Sequence, residues 1–528
     1  MVRELTKASS RAAIAAGLGM IIFGFAISAS PAKAADLGGD CCADLEERVA
    51  ELEATTVRKG NKKVSVTLSG WVTKRGSWWD DGHEENFYIG DRDNTLSSHF
   101  NISGSAQIAP GWTSGYTIQV EAPGNSATVG FCENQFNDNC VLFGSLNTLL
   151  SYMWIKSDNW GTINWGQLRQ ATDNLLVLRD LSGTPIESNA VLYDGVGMLI
   201  RAKGAKNSND LASEFSWGAV TTCLTGGGGI GADCNGYPAN NFRYDSPGWA
   251  GFSVSTSYGE DDMWDVALKY NLDGEIWKAQ AAIAWTSETD EGCSAPGKSG
   301  CTNVGFLGGG GTPFQGYRKD TGLFQVGGSV MHAPSGLFFY GLYQHEQNDG
   351  TQFKTINFNT GKIVDSNVNE NDAFYVKTGI RRAFTPLGHT VIFGEWADYK
   401  NQFMGICGLP GGDHFGSSSG NTFCEAYIPT GVVTSGSSKG VALVTDSLVT
   451  GSDVQRWGVA VVQEIDSASM HVFGRWQRLE LDLNGINLGT TCVGSSSGSC
   501  SGNGKSGKAL QTSWDALDIF QLGGVIFF

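Results

Sequence analysis

The chain has 528 residues, of which 41% are hydrophobic and 73 are glycine, and its formal net charge is -17. That length fits one large barrel or about three ordinary soluble domains, and the acidic balance argues against a polyanionic partner, so no nucleic acid is expected. Beyond the first 26 residues there is no run of roughly 18 to 20 apolar residues, which excludes helices as a way of crossing a bilayer and leaves closed strands for that role.

Arg3, Lys7 and Arg11 precede an apolar run from Ala12 to Ala26 and the small-x-small site Ala32-Lys33-Ala34, which predicts a signal peptide over 1–34. Its removal takes Arg3, Lys7, Arg11 and Lys33 against Glu4, so the charge becomes about -17 - 3 = -20. Cys41 and Cys42 lie too far from that site for lipidation. Over 35–60, Cys42, Leu45, Val49, Leu52 and Thr56 recur every three or four residues, predicting a short amphipathic periplasmic helix. At about two heptads it is too short to stand alone, so it either self-associates within an oligomer or lies against the rest of the protein.

From 61 onward the period changes to two. Val64, Val66 and Leu68 alternate with Ser65, Thr67 and Ser69, and Phe100, Ile102, Ala106 and Ile108 alternate with polar neighbours. The pattern recurs at Tyr116-Ile118-Val120, Tyr152-Trp154, Val196-Met198-Ile200, Val266-Leu268-Tyr270, Phe374-Val376-Ile380 and Met470-Val472-Trp476. Tight turns such as Pro110-Gly111, Ser157-Asp158-Asn159, Ser246-Pro247-Gly248, Ala333-Pro334-Ser335 and Asp466-Ser467 are interleaved with long loops. Short turns at one rim and long loops at the other are the asymmetry of bacterial outer-membrane barrels.

Ten of the 12 cysteines form local couples, all in long loops: Cys132 with Cys140, Cys223 with Cys234, Cys293 with Cys301, Cys407 with Cys424, and Cys492 with Cys500. In an oxidising compartment such couples predict disulfides that tie down surface loops, and they lack the CxxC spacing of metal sites. The acidic first loop, Asp80-Asp81-Gly82-His83-Glu84-Glu85, is rich in hard oxygen ligands but fails the EF-hand spacing and reads as a solvated loop. Gly226–Gly231 and Gly292–Ser299 fit nucleotide-binding expressions, but neither opens a helix in a βαβ unit. The seven histidines show no ligand spacing and no nucleophile motif occurs, so neither enzyme activity nor a cofactor or metal is expected.

At the far end Phe520, Leu522, Gly524, Ile526 and Phe528 alternate with Gln521, Gly523, Val525 and Phe527. An apolar final strand with nothing to cover its edge predicts closure onto the first strand. The fold class expected over 61–528 is therefore all-β, a transmembrane antiparallel β-barrel of 16–18 strands, with strand placement giving about eighteen.

The segment Asp40-Cys41-Cys42-Ala43-Asp44-Leu45-Glu46-Glu47-Arg48-Val49-Ala50-Glu51-Leu52 resembles the leader of alphaproteobacterial, rhizobial-type outer-membrane porins. Arg243-Tyr244-Asp245-Ser246-Pro247, Gly251-Phe252-Ser253, Gly259-Glu260-Asp261-Asp262 and Trp264-Asp265-Val266-Ala267-Leu268 are similar to that family's central hairpins. The resemblance implies a homotrimeric general-diffusion porin in the outer membrane of a Gram-negative bacterium, in contact with lipid and lipopolysaccharide and passing small hydrophilic solutes. It also implies a constriction loop folded into the lumen, here about 171–191.

Strand parity nominates the lining. With Val196, Met198 and Ile200 facing lipid, Arg201 would face inward; with Phe242 and Tyr244 outward, Arg243 would; with Phe374, Val376 and Ile380 outward, Lys377 and Arg381 would; and with Met470, Val472 and Trp476 outward, Arg475 would. Against this basic wall the inserted loop offers Asp173, Asp180 and Glu187, which would set up a transverse field. The negative charge of the whole chain points to a preference for cations. Two competing readings are a substrate-selective channel with a vestibule of disulfide-tied loops, and a secreted β-rich adhesin or binding protein, which would require regular repeats.

Overall fold

The computed structural model describes residues 64–528 except for stretches of loop, among them 123–134, 136–145, 204–215, 224–233, 290–319 and 403–424. The signal peptide expected over 1–34 and the helix expected over 35–60 lie outside the described residues, as do Cys132, Cys140, Cys293, Cys301, Cys407 and Cys424.

In chain order the strands are β1 (Thr67–Asp80), β2 (Glu85–Gly90), β3 (His99–Ala109), β4 (Trp112–Glu121), β5 (Asn147–Ser157), β6 (Gly161–Arg169), β7 (Pro238–Asp245), β8 (Phe252–Gly259), β9 (Trp264–Asp273), β10 (Trp277–Thr289) and β11 (Asp320–His332). They continue with β12 (Leu337–Asp349), β13 (Lys354–Asn357), β14 (Lys362–Asp365), β15 (Glu370–Thr385), β16 (Gly388–Lys400), β17 (Glu425–Val432), β18 (Ala442–Ile465), β19 (Met470–Val493), β20 (Cys500–Ser501), β21 (Lys508–Ala509) and β22 (Leu517–Phe527).

Each wall strand pairs antiparallel with the next, and β22 returns to β1 in register from Trp71↔Phe527 to Asp80↔Asp518. The wall is closed and has sixteen strands: β1, β3 to β12, β15, β16, β18, β19 and β22. Closure satisfies every edge, which is what a sheet needs in hydrocarbon. The lower strand number, against the placement of about eighteen, comes from segments that alternate without joining the wall. Val196, Met198 and Ile200 are one such segment and are buried inside the barrel instead of facing lipid.

Beside β1 the neighbouring wall position is shared: β2 pairs with Arg75–Asp80 and β3 with Thr67–Trp71. Opposite the gap, Thr73 donates its N–H to Ser98 Oγ at 3.2 Å, and the same hydroxyl donates back to the Thr73 carbonyl at 3.4 Å. A side chain thus replaces the missing ladder partner and leaves no orphaned backbone group at that residue.

The exterior is apolar, with Phe242, Phe374, Ile392, Val459 and Val472 all exposed, while their neighbours in sequence Asn241, Tyr375, Val391, Phe393, Ala460 and Phe473 are buried. Trp112, Trp160, Trp249 and Trp277 mark the short-turn rim. On β10 the outward Trp277 and Trp285 are eight residues apart, about 26 Å along the strand. Allowing for strand tilt, that covers most of the roughly 25 Å apolar band of outer-membrane barrels. Parity alone misassigns β5. Met153 is the exposed residue, and Tyr152, opposite the inward Thr117, turns into the lumen together with Trp154 because both faces of this strand carry apolar side chains.

Turn chemistry is strict where the rim is tight. Gly336 closes the β11–β12 hairpin at φ +75°, and a Cβ there would fall well inside contact distance of the Arg381 carbonyl. Gly336→Val combines a disfavoured left-handed backbone with that overlap, so it is expected to lower the urea unfolding midpoint by an amount equivalent to about 2 kcal/mol or more. An unchanged midpoint would contradict the turn geometry.

Candidate functional site: the lumen and its inserted segment

The connection from β6 to β7 does not leave the barrel. It starts where Arg169 ends β6, and its backbone is taken up at once by the nearby strands β8 and β9: the Ala171 N–H donates to Ser257 Oγ at 2.7 Å, and the N–H and hydroxyl of Thr172 donate to Asp265 Oδ2 at 2.9 and 2.8 Å. Tyr340 then donates to the Leu176 carbonyl at 2.9 Å, and the Leu181 N–H to Ser329 Oγ at 3.1 Å. A segment without strand partners must satisfy its polar groups elsewhere, and here the inward residues of successive wall strands do so.

The charged contacts come next along the segment. Lys377 Nζ lies 2.7 Å from Asp180 Oδ2, with both side chains fully sealed, and also donates to Thr184 Oγ1 at 3.1 Å and to the Ser188 carbonyl at 2.7 Å. Glu395 Oε2 accepts from Ser188 Oγ at 2.5 Å and from the Tyr375 hydroxyl at 2.7 Å. Glu187 Oε1 meets His471 Nδ1 at 2.7 Å, and Arg475 donates to the Glu187 carbonyl at 2.8 Å. Arg456 holds the carbonyls of Val191, at 3.0 Å, and of Asn189. Asp194 is clamped between Arg75, at 3.0 Å, and Arg475.

The segment ends against β1. Arg201 is sealed and pairs with Asp81 at 2.7 Å and with Glu84 at 3.2 Å. Gln135 locks the same corner, accepting from the Leu199 N–H at 2.9 Å and donating to Asp81 at 3.0 Å. Val196, Met198, Ile200 and Trp217 pack into one apolar cluster with Tyr340, Tyr375, Tyr399 and Leu479 of the wall. The Cys223–Cys234 disulfide, with Cα atoms 5.8 Å apart, is buried against Leu323 and Gln402. Cys492 and Cys500 stand as register partners across β19 and β20.

Two sequence expectations change. Arg201 belongs to the inserted segment, not to a wall strand, because the alternation at 196–200 packs apolar residues onto the interior cluster. Asp173, Asp180 and Glu187 do not face the basic wall across open water. Asp180 and Glu187 touch it, and Asp173 sits 3.0 Å from Arg169. Burial pushes the Asp173 carboxyl above its usual range, against the pull of Arg169.

Arg243, Lys377, Arg381 and Arg475 do turn inward. Arg243 pairs with Asp245 at 3.0 Å and Arg381 binds Glu464 through two bonds of 2.8 Å. Parity could also have found Glu395, beside the outward Trp396, and Arg456, beside the outward Trp457. Asp265 could be found the same way, between the outward Trp264 and Val266, whereas Asp194, outside any strand, carried no such signal.

A closed sixteen-stranded wall, greasy outside and charged inside, with a long connection folded into its interior, defines a membrane-spanning channel protein. A family model for Gram-negative porins matches residues 20–359, well over half the chain, and the protein belongs to that family. It is an integral outer-membrane porin. A search of curated proteins found no match.

Among solved structures the chain is similar to the anion-selective porin from Comamonas acidovorans, with 13% identity, 88% of this chain and 100% of that chain covered, and a TM-score of 0.45. It is also similar to OmpT of Vibrio cholerae (11% identity, 88% and 100% covered, TM-score 0.43) and to OprB of Pseudomonas putida (8%, 92% and 97%, TM-score 0.44).

Proposed function

We propose that this porin is a homotrimer that passes small hydrophilic solutes by passive diffusion, and that it belongs to the alphaproteobacterial, rhizobial-type branch. In this reading the leader is cleaved after Ala34, residues 35–60 form the periplasmic helix, and 61–528 make the barrel, set in lipid and lipopolysaccharide. The constriction is built by 171–191 with Asp173, Asp180 and Glu187, pressed onto Lys377 and Arg475 and flanked by Arg243, Arg381 and Arg201. The remaining cysteine couples, Cys132–Cys140, Cys293–Cys301, Cys407–Cys424 and Cys492–Cys500, would tie the loops.

The observation that carries the reading is the unequal interior. Asn101, Ser103, Thr117, Arg243 and Lys269 keep water contact on the inner face of β3 to β9, although they point away from the membrane. Polar groups left wet inside a closed barrel describe a passage, whereas a packed core would have sealed them. No conversion of solute is required; transit needs only hydrated walls and a bore wide enough for the solute.

Purified trimers in planar bilayers are expected to give stepwise, ion-carrying conductance, and proteoliposomes to swell at rates that fall smoothly with solute size. Saturation by one solute class would instead favour a selective channel. Absence of conductance would remove the proposal.

A further inference from the structure

The inserted segment divides the lumen unequally. At mid-barrel on the far side, Gln325, Tyr340, Lys377, Glu395, Arg456 and Arg475 are each exposed by 5% or less, because the segment lies directly on them. On β7 and β9 the interior charges stay wet: the side chains of Arg243, Asp245 and Lys269 are 28%, 23% and 19% exposed. The passage therefore runs off-axis, beside the stretch of β7 to β9 around Arg243, Asp245 and Lys269 that the segment leaves wet.

The charge along that passage does not cancel. Asp245 is shared by Arg243, at 3.0 Å, and Lys269, at 3.8 Å, so one carboxylate faces two cations. Arg179, on the inserted segment, adds a third cation and donates to a neutral acceptor, Asn271 Oδ1, at 3.0 Å. Arg169 sits on Asp173 and Arg381 on Glu464, and those pairs are locally neutral. The acids that make the chain negative overall do not offset this surplus in the water: Asp180, Glu187, Asp194 and Glu395 are spent on sealed contacts with the wall, and Asp265 on β9 is sealed against Thr172 and Ser257.

We infer that the off-axis passage takes small anions, including carboxylates, and that Arg179, Arg243 and Lys269 set this preference. The inference rests on the channel reading above and names its solute class. It runs opposite to the cation preference suggested by the net charge of -17, because a pore responds to the charges lining its water and not to the sum over the chain. Low-dielectric walls focus the field of an uncompensated cationic patch and enrich the counter-ion locally.

The test is the reversal potential of purified trimers in a potassium chloride gradient. Wild-type protein is expected to favour chloride over potassium by roughly threefold or more. The R179Q/R243Q/K269Q variant should retain conductance and lose that preference, while Arg478→Gln, on the outer face, should leave it unchanged. Single R179Q, which alters only the inserted segment, should move the ratio in the same direction by a smaller step and guards against misfolding of the triple variant. A cation-selective wild type, or an unaltered ratio in both variants, overturns the inference while the channel stands. Absence of any conductance overturns the channel reading and this inference with it.

Discussion

Lys377→Met is expected to loosen the inserted segment and to raise single-channel conductance. Lys377 and Asp180 are fully sealed at 2.7 Å, and the same ammonium secures Thr184 and Ser188. Removing one partner strands a buried carboxylate, which costs about 3–5 kcal/mol. The cheapest relief is for 180–188 to leave the β15 wall and rehydrate, so the lumen widens and the current becomes noisier. The double variant Asp180→Leu/Lys377→Met removes both charges and should recover most of the loss, since apolar replacement of a whole buried pair is often neutral. Bilayer recording together with urea unfolding in detergent checks both parts. Wild-type conductance and stability in the single variant would contradict the anchoring role.

A comparable loss is expected at the other end of the segment. Asp194 lies between the guanidinium groups of Arg75 and Arg475, and all three side chains are 3% exposed or less. Asp194→Ala leaves two buried cations facing each other without their shared anion, so stability should fall by about 3–5 kcal/mol. The Arg381–Glu464 pair is a useful contrast, because Arg381 is 31% exposed. Water there can replace the carboxylate, and Glu464→Gln should cost no more than about 1 kcal/mol. Chemical denaturation of the two variants side by side checks the ordering, and equal losses would contradict the burial argument.

Much of the wall could be read from the sequence, because a two-residue period is local. Phe374 and Val472 lie outside and Lys377 and Arg475 inside, as alternation on β15 and β19 implies. The same rule failed at Val196–Ile200, since parity separates the faces of a segment but does not say whether that segment pairs with a neighbour. It failed on β5 because both faces are apolar. The inner contacts were the least accessible to sequence reasoning. Asp180 meets a lysine 197 residues away, and Arg475 meets Glu187 across 288 residues. Only the closed barrel brings them together.

The outward-apolar, inward-polar sense of the barrel is tested most directly by photolabelling. A lipid-soluble carbene reagent applied to the trimer in bilayers, followed by peptide mapping, should mark Phe374, Val459 and Val472 and spare Tyr375, Lys377 and Phe473. Labelling of Tyr375 and Phe473 with Phe374 and Val472 untouched would contradict the account.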